Sequence, residues 1–208
     1  MKKFIIATTA LCMIVSVASA QGLHFGPRLG MSVSNFIHFS ESSDIQTQSK
    51  LGLHVGATAE FEILSFLYVS TTLSLYQKGN KNEYPLGTSK STFSFLDLPI
   101  EIGYKMPIGN ISVFGQVGPF VSVAVAGRGR WIPDESYSDE TSSYSLYEYD
   151  NYKRFDTGVG LAAGIDYKNY QVRFSYSFGF INIEGHSSYS AQTSAFSVTG
   201  AYFIGRNY

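Results

Sequence analysis

The chain has 208 residues, 44% hydrophobic and only 15% charged, with 15 Lys+Arg against 16 Asp+Glu and a formal net charge of -1. So even a balance, with no basic stripe, argues against nucleic acid as a partner, and the charged fraction falls below the roughly one quarter usual in soluble domains. Aromatics are plentiful, with 15 Tyr and 16 Phe against 1 Trp.

Residues 1–20 open on Lys2 and Lys3, run through an apolar stretch from Phe4 to Val17 and end in Ala18-Ser19-Ala20. That order reads as a secretory signal peptide with a small-residue cleavage site, leaving residues 21–208 as one expected domain. Lipidation at Cys12 does not fit, because Leu11 is bulky and the apolar run continues past the cysteine. Cys12 is the only cysteine, so a processed chain would hold no disulfide, thiolate metal site or cysteine nucleophile. After the signal the longest weakly polar run is Val117 to Gly127, short of the roughly 20 residues a membrane helix needs. Any crossing of a bilayer must therefore use strands.

Alternation runs the length of the chain. Odd positions are apolar from Leu23 to Val33, from Leu51 to Ile63 and from Leu67 to Leu75; even positions take over from Leu96 to Tyr104. Odd positions return from Ile111 to Val125 and from Phe155 to Tyr167, where Thr157 is the exception, and even positions from Tyr170 to Phe180 and from Phe196 to Ile204. A period of two is a strand, which gives about eight strands, the smallest transmembrane barrel. Residues flanking a two-residue hairpin turn share a face, so their parity must differ. Ile108 and Ile111 around Gly109-Asn110 obey this, as do Tyr167 and Tyr170 around Lys168-Asn169. Parity does not change after Ile63, which predicts an odd-length turn at Leu64-Ser65-Phe66.

These short turns separate long segments near 37–49, 79–91, 127–152 and 184–194. Outer-membrane barrels sort connection lengths this way, short toward the periplasm and long outside. The face opposite the apolar one carries mostly Gly, Ser, Thr, His, Arg and Glu in the first two strands, too small and polar for a dry core. The apolar face is therefore expected outside, against lipid, with Tyr104, Tyr167, Tyr170, Tyr202 and Tyr208 in phase with it. The expected fold is all-β: an eight-stranded antiparallel up-and-down transmembrane β-barrel with an N-terminal signal peptide, located in the outer membrane. "FGPRLGMSVSNF", "FLDLPIEIGYKM" and "SVTGAYFIGRNY" resemble segments of the Bacteroidetes-type outer-membrane β-barrel domain family called PorT-like, compact barrels of OmpX size, over residues 22–208. The resemblance implies location and fold and brings no assigned activity.

Three groups of residues are candidates for function. The enclosed face carries Arg28, His54, Glu60, Glu62, Asp97, Glu101, Arg154, Asp156, Asp166 and Arg173. In so narrow a barrel these charges must meet each other or trapped water, as a salt-bridge plug or, alternatively, as an ion path in a narrow porin-like conductor. With Tyr167 opposite Tyr170, Asp166 and Arg173 are diagonal neighbours, and Arg28 is expected to reach His54 or Glu60. Between Trp131 and Tyr152 lie six acids, no Lys or Arg, and five tyrosines counting Tyr152. Trp131, Asp134, Glu135, Tyr144, Tyr147 and Tyr149 form a candidate surface for an extracellular protein or glycan. Its spacing fits no calcium loop. Glu184, His186 and Ser188 are similar to the constellation of outer-membrane lipid A deacylases, which keeps an enzyme as the alternative. His24 and His54 lack metal-ligand spacing. No cofactor or metal is expected, outer-membrane lipid surrounds the strands, and a monomer is expected.

Overall fold

The computed structural model describes residues 22–39, 47–84, 87–133, 142–145, 153–182 and 190–206. Among them are nine strands of one sheet: β1 (Leu23–Phe39), β2 (Thr47–Leu64), β3 (Leu67–Tyr84), β4 (Gly87–Ile108), β5 (Ile111–Pro133), β6 (Ser142–Ser145), β7 (Phe155–Tyr167), β8 (Tyr170–Gly179) and β9 (Ser190–Tyr202). All pairings are antiparallel. They run from β1 through β2, β3, β4, β5, β7 and β8 to β9, and β9 pairs with β1. The ninth strand corrects the expected count: β6 pairs with Arg128–Trp131 of β5 inside the long segment after that strand.

Burial is inverted relative to a soluble sheet. Leu53, Val55 and Ile102 keep 55%, 56% and 58% of their surface accessible, whereas Glu60, Glu101 and Asp166 keep 1% each. Along β7 the alternation is strict, from exposed Phe155 and buried Asp156 to exposed Ile165 and buried Asp166. Water would not tolerate that outer surface, but hydrocarbon does. Tyr104, Tyr167, Tyr170 and Tyr202 are exposed at the short-turn end. Tyr170 and Tyr202 meet edge to face with ring centroids 5.2 Å apart.

Two turns form as parity requires. Ile108 pairs with Ile111 and Tyr167 with Tyr170, and Gly109 (φ 62°) and Lys168 (φ 52°) take the left-handed first position that matches strand twist. After β2 the expected three-residue turn is replaced by a two-residue one, because Leu64 pairs with Leu67. The extra residue is absorbed as an irregularity between Glu62 and Leu64, a bulge that restores parity one step earlier. At the other end the expected loops are partly strand: β3 and β4 stay paired up to Tyr84 and Gly87, and β5 runs on to Pro133. Both faces of the β3 and β4 extensions are mostly polar and the end of β5 does not alternate, so the period-two signal fades while the backbone ladder continues. The signal peptide over residues 1–20, and Tyr208, lie outside the described residues.

Candidate functional site

The enclosed face brings five cations, Arg28, Lys78, Lys105, Arg173 and Arg206, together with five carboxylates, Glu60, Asp97, Glu101, Asp156 and Asp166. At the short-turn end Lys105 Nζ lies 2.7 Å from Asp166 Oδ2 and 3.2 Å from Glu60 Oε2. Arg206 approaches the same pair, 3.1 Å from Asp166 Oδ2 and in direct contact with Glu60 Oε2. Gln171 Nε2 donates to both acids, at 2.9 Å to Glu60 and 3.0 Å to Asp166. Arg28 in turn donates to Gln171 Oε1 at 3.0 Å and to Thr72 Oγ1 at 2.7 Å. Two cations thus compensate two buried acids, and the remaining carboxylate lone pairs accept from an amide, as a buried ionic cluster requires.

Higher in the interior Arg173 Nη2 donates to Glu101 Oε1 at 2.5 Å, and Gln116 Nε2 donates to the Tyr68 hydroxyl at 2.9 Å. His54 stacks on Tyr76 with centroids 4.8 Å apart and has Nε2 2.9 Å from Thr199 Oγ1. Toward the long-connection end the lining turns aromatic. Lys78 Nζ lies 4.8 Å from the Phe120 ring centroid, 5.2 Å from that of Tyr76 and 5.3 Å from that of Phe95. Asp97 is 3.9 Å from the same ammonium, and Thr193 donates to Asp156 at 2.6 Å. Rings around a desolvated cation are themselves attractive. A void of about 60 Å³ separates the tiers, with Arg28, His54, Asp97, Glu101 and Arg173 in its wall, room for about two waters at roughly 30 Å³ each.

Arg28, His54, Glu60, Glu101, Asp166 and Arg173 are all buried, Arg28 and Arg173 with partners other than their register neighbours. Arg173 reaches across to Glu101 instead of Asp166, and Arg28 binds Thr72 and Gln171 instead of His54 or Glu60. Glu62 and Arg154 are exposed; Glu62 sits beside the bulged turn, 3.6 Å from His24. Reading carboxylates by parity overlooked Lys105 and Lys78, which lie on the enclosed parity of their own strands, with Glu101 on β4 and with Ser74 and Tyr76 on β3. Arg206 follows Gly205 at φ 78°, a left-handed residue that swings the chain so that an even-numbered side chain turns inward; its ring partner Phe203 lies 4.1 Å away.

Trp131 is half-buried on β5, opposite Ser89 and Ser142, and Tyr144 is half-buried on β6, opposite Gly129. Asp134, Glu135, Tyr147, Tyr149, Glu184, His186 and Ser188 lie outside the described residues. Among the described residues no group of three His, Cys, Asp or Glu is placed to hold a metal, and no helix is long and apolar enough to cross a membrane.

Residues 18–185 match the family described as outer membrane protein beta-barrel domain. The chain matches no curated protein. Among solved structures it is similar to OprG from Pseudomonas aeruginosa, with 10% identity and a TM-score of 0.47 over 88% of this chain and 97% of that one. Ail of Yersinia pestis gives 13% identity and a TM-score of 0.44 over 87% and 98% of the two chains. Neisserial surface protein A gives 14% identity and a TM-score of 0.42 over 86% and 96%.

Proposed function

From the premise that the chain belongs to the outer membrane protein beta-barrel domain family and resides in the outer membrane, we propose that it is a non-enzymatic barrel of the PorT-like type. Its eight long strands close around a salt-bridge plug, residues 1–20 are removed on export, and the monomer presents its long-connection end to an extracellular protein or glycan. The observation that carries this reading is the pairing of opposite charges across an interior whose outer wall is apolar. Side chains committed to one another in this way hold strands together; they are poorly suited to passing ions or activating a nucleophile. The recognition surface is the ribbon of β5 and β6 with Trp131 and Tyr144, together with the acidic, tyrosine-rich residues that flank β6 in the sequence.

The barrel reading is tested with nitroxide labels on Val55→Cys and Phe174→Cys, both outward-facing. Each label is expected to relax strongly with oxygen and weakly with a water-soluble nickel chelate; the reverse order at both sites would overturn the reading. The recognition reading is tested by deleting residues 134–150. Heat-modifiable gel mobility is expected to persist, while adhesion of expressing cells to a glycan array and to immobilised serum proteins falls to background. Adhesion equal to that of the parent would remove this segment from the function.

A further inference from the structure

Beyond the apolar band, the outward face of β3, β4 and β5 changes from hydrocarbon-like to cationic within a few residues. Leu75, Leu96 and Val123 lie side by side and are all exposed. Two steps further toward the long-connection end Thr92 pairs with Arg128, and one more step sets Lys90 directly opposite Arg130 in a cross-strand row. Like charges directly opposite one another on a sheet are destabilising, so such a row needs an anion near it. Among the described residues no carboxylate forms an ion pair with Lys90, Arg128 or Arg130. Lys50 of β2 joins them: its Nζ donates to Ser91 O at 3.2 Å and to Thr92 Oγ1. Lys50, Lys90, Arg128 and Arg130 line one concavity of about 430 Å³, with Gln77, Thr92 and Ser94 supplying further polar groups.

The height of this cleft indicates its ligand. Four residues from Leu96 to Thr92 advance about 14 Å along a strand, or about 10 Å along the membrane normal at the usual barrel tilt. Headgroups occupy the first several ångströms beyond the hydrocarbon, and long Arg and Lys stems reach back toward them. We propose that Lys50, Lys90, Arg128 and Arg130 bind the phosphate groups of an anionic lipid of the outer leaflet, holding one such lipid against β3–β5. The inference rests on the barrel reading above, since only that reading sets these side chains at headgroup level. Lipid phosphate would neutralise the row, and guanidinium forks suit phosphate oxygens in bidentate contacts.

The test uses the full refolded chain in detergent, incubated with lipopolysaccharide and re-isolated, with retained lipid phosphate measured per protein. The parent is expected to retain lipopolysaccharide, and the combined variant Lys90→Gln, Arg128→Gln, Arg130→Gln to bind it at least about tenfold more weakly. Lys168→Gln, a cation at the opposite end, is expected to behave like the parent. A second arm needs no variant: the parent should discriminate lipopolysaccharide from its dephosphorylated form, and millimolar inorganic phosphate should not displace the lipid. Equal retention by the combined variant, equal binding of the dephosphorylated lipid, or full displacement by inorganic phosphate would each overturn the lipid site while leaving a heat-modifiable barrel intact. Loss of heat-modifiable mobility in the parent itself would overturn the barrel reading and the site with it.

Discussion

Replacing Glu60 with alanine is expected to lower the stability of the folded protein by about 3–5 kcal/mol, the cost of breaking a buried ion pair from one side. Glu60 is 1% exposed, contacts Lys105 and Arg206, and accepts from Gln171. Without it two enclosed cations share Asp166 alone, and one amide donor loses an acceptor. Urea unfolding in lipid vesicles, followed by heat-modifiable mobility, reads the loss as a drop in the midpoint at unchanged slope. Glu62→Ala is the internal control: Glu62 is two residues away but exposed, and its removal should change stability by no more than about 0.5 kcal/mol. Adding Lys105→Met to Glu60→Ala should restore part of the loss, because the second change removes a charge that the first left uncompensated. A Glu60→Ala midpoint within error of the parent would mean that water solvates this cluster, and the plug would have to be reread as a wet path.

The second large effect is at the seam between β1 and β9. A Cβ built on Gly26 would lie 1.6 Å from the carbonyl oxygen of Tyr202 and 3.1 Å from the Cα of Phe203, both backbone atoms. No rotamer change relieves such an overlap, so the strand itself would have to move away from the segment that carries Phe203 and Arg206. Gly26→Val is therefore expected to abolish the heat-modifiable folded band in refolding assays. Gly200, on the neighbouring strand, meets nothing nearer than 4.0 Å and lies on the exposed face. Gly200→Ala should fold like the parent, within about 0.5 kcal/mol. If Gly26→Val refolded with parental yield, the close approach at this seam would be wrong.

Most of the architecture could be read from side-chain parity, because hydrocarbon imposes a strict rule on every outward position and a two-residue turn transmits that rule to the next strand. Ile108 with Ile111 and Tyr167 with Tyr170 show how far it reaches. The rule fails where its cause ends. Beyond Gly79 of β3 and Ser91 of β4 the residues are mostly polar at both parities, so alternation there does not distinguish strand from loop. Ser142–Ser145 carries no alternation, and its pairing with β5 depends on contacts distant in sequence. For the interior, parity put Arg28, Glu60, Glu101, Asp166 and Arg173 on the enclosed face, but also Glu62 and Arg154, which are exposed, and it did not say who meets whom. Glu101 of β4 and Arg173 of β8 belong to strands that are not neighbours in the sheet, so their meeting depends on how the sheet curls and not on register. Arg206 was hidden by one left-handed glycine, a conformation that a periodicity count does not register.

The cluster around Glu60 also bears on how assembly is completed. Its two acids arrive on β2 and β7, one counterion on β4 and the other only with the residues that follow β9. A partly inserted chain lacking that final segment would hold a surplus negative charge in a nearly anhydrous interior, where Coulomb energies are largest. Electroneutrality at this cluster thus depends on four separate segments of the chain meeting, and an assembly that lacks any one of them carries the electrostatic penalty.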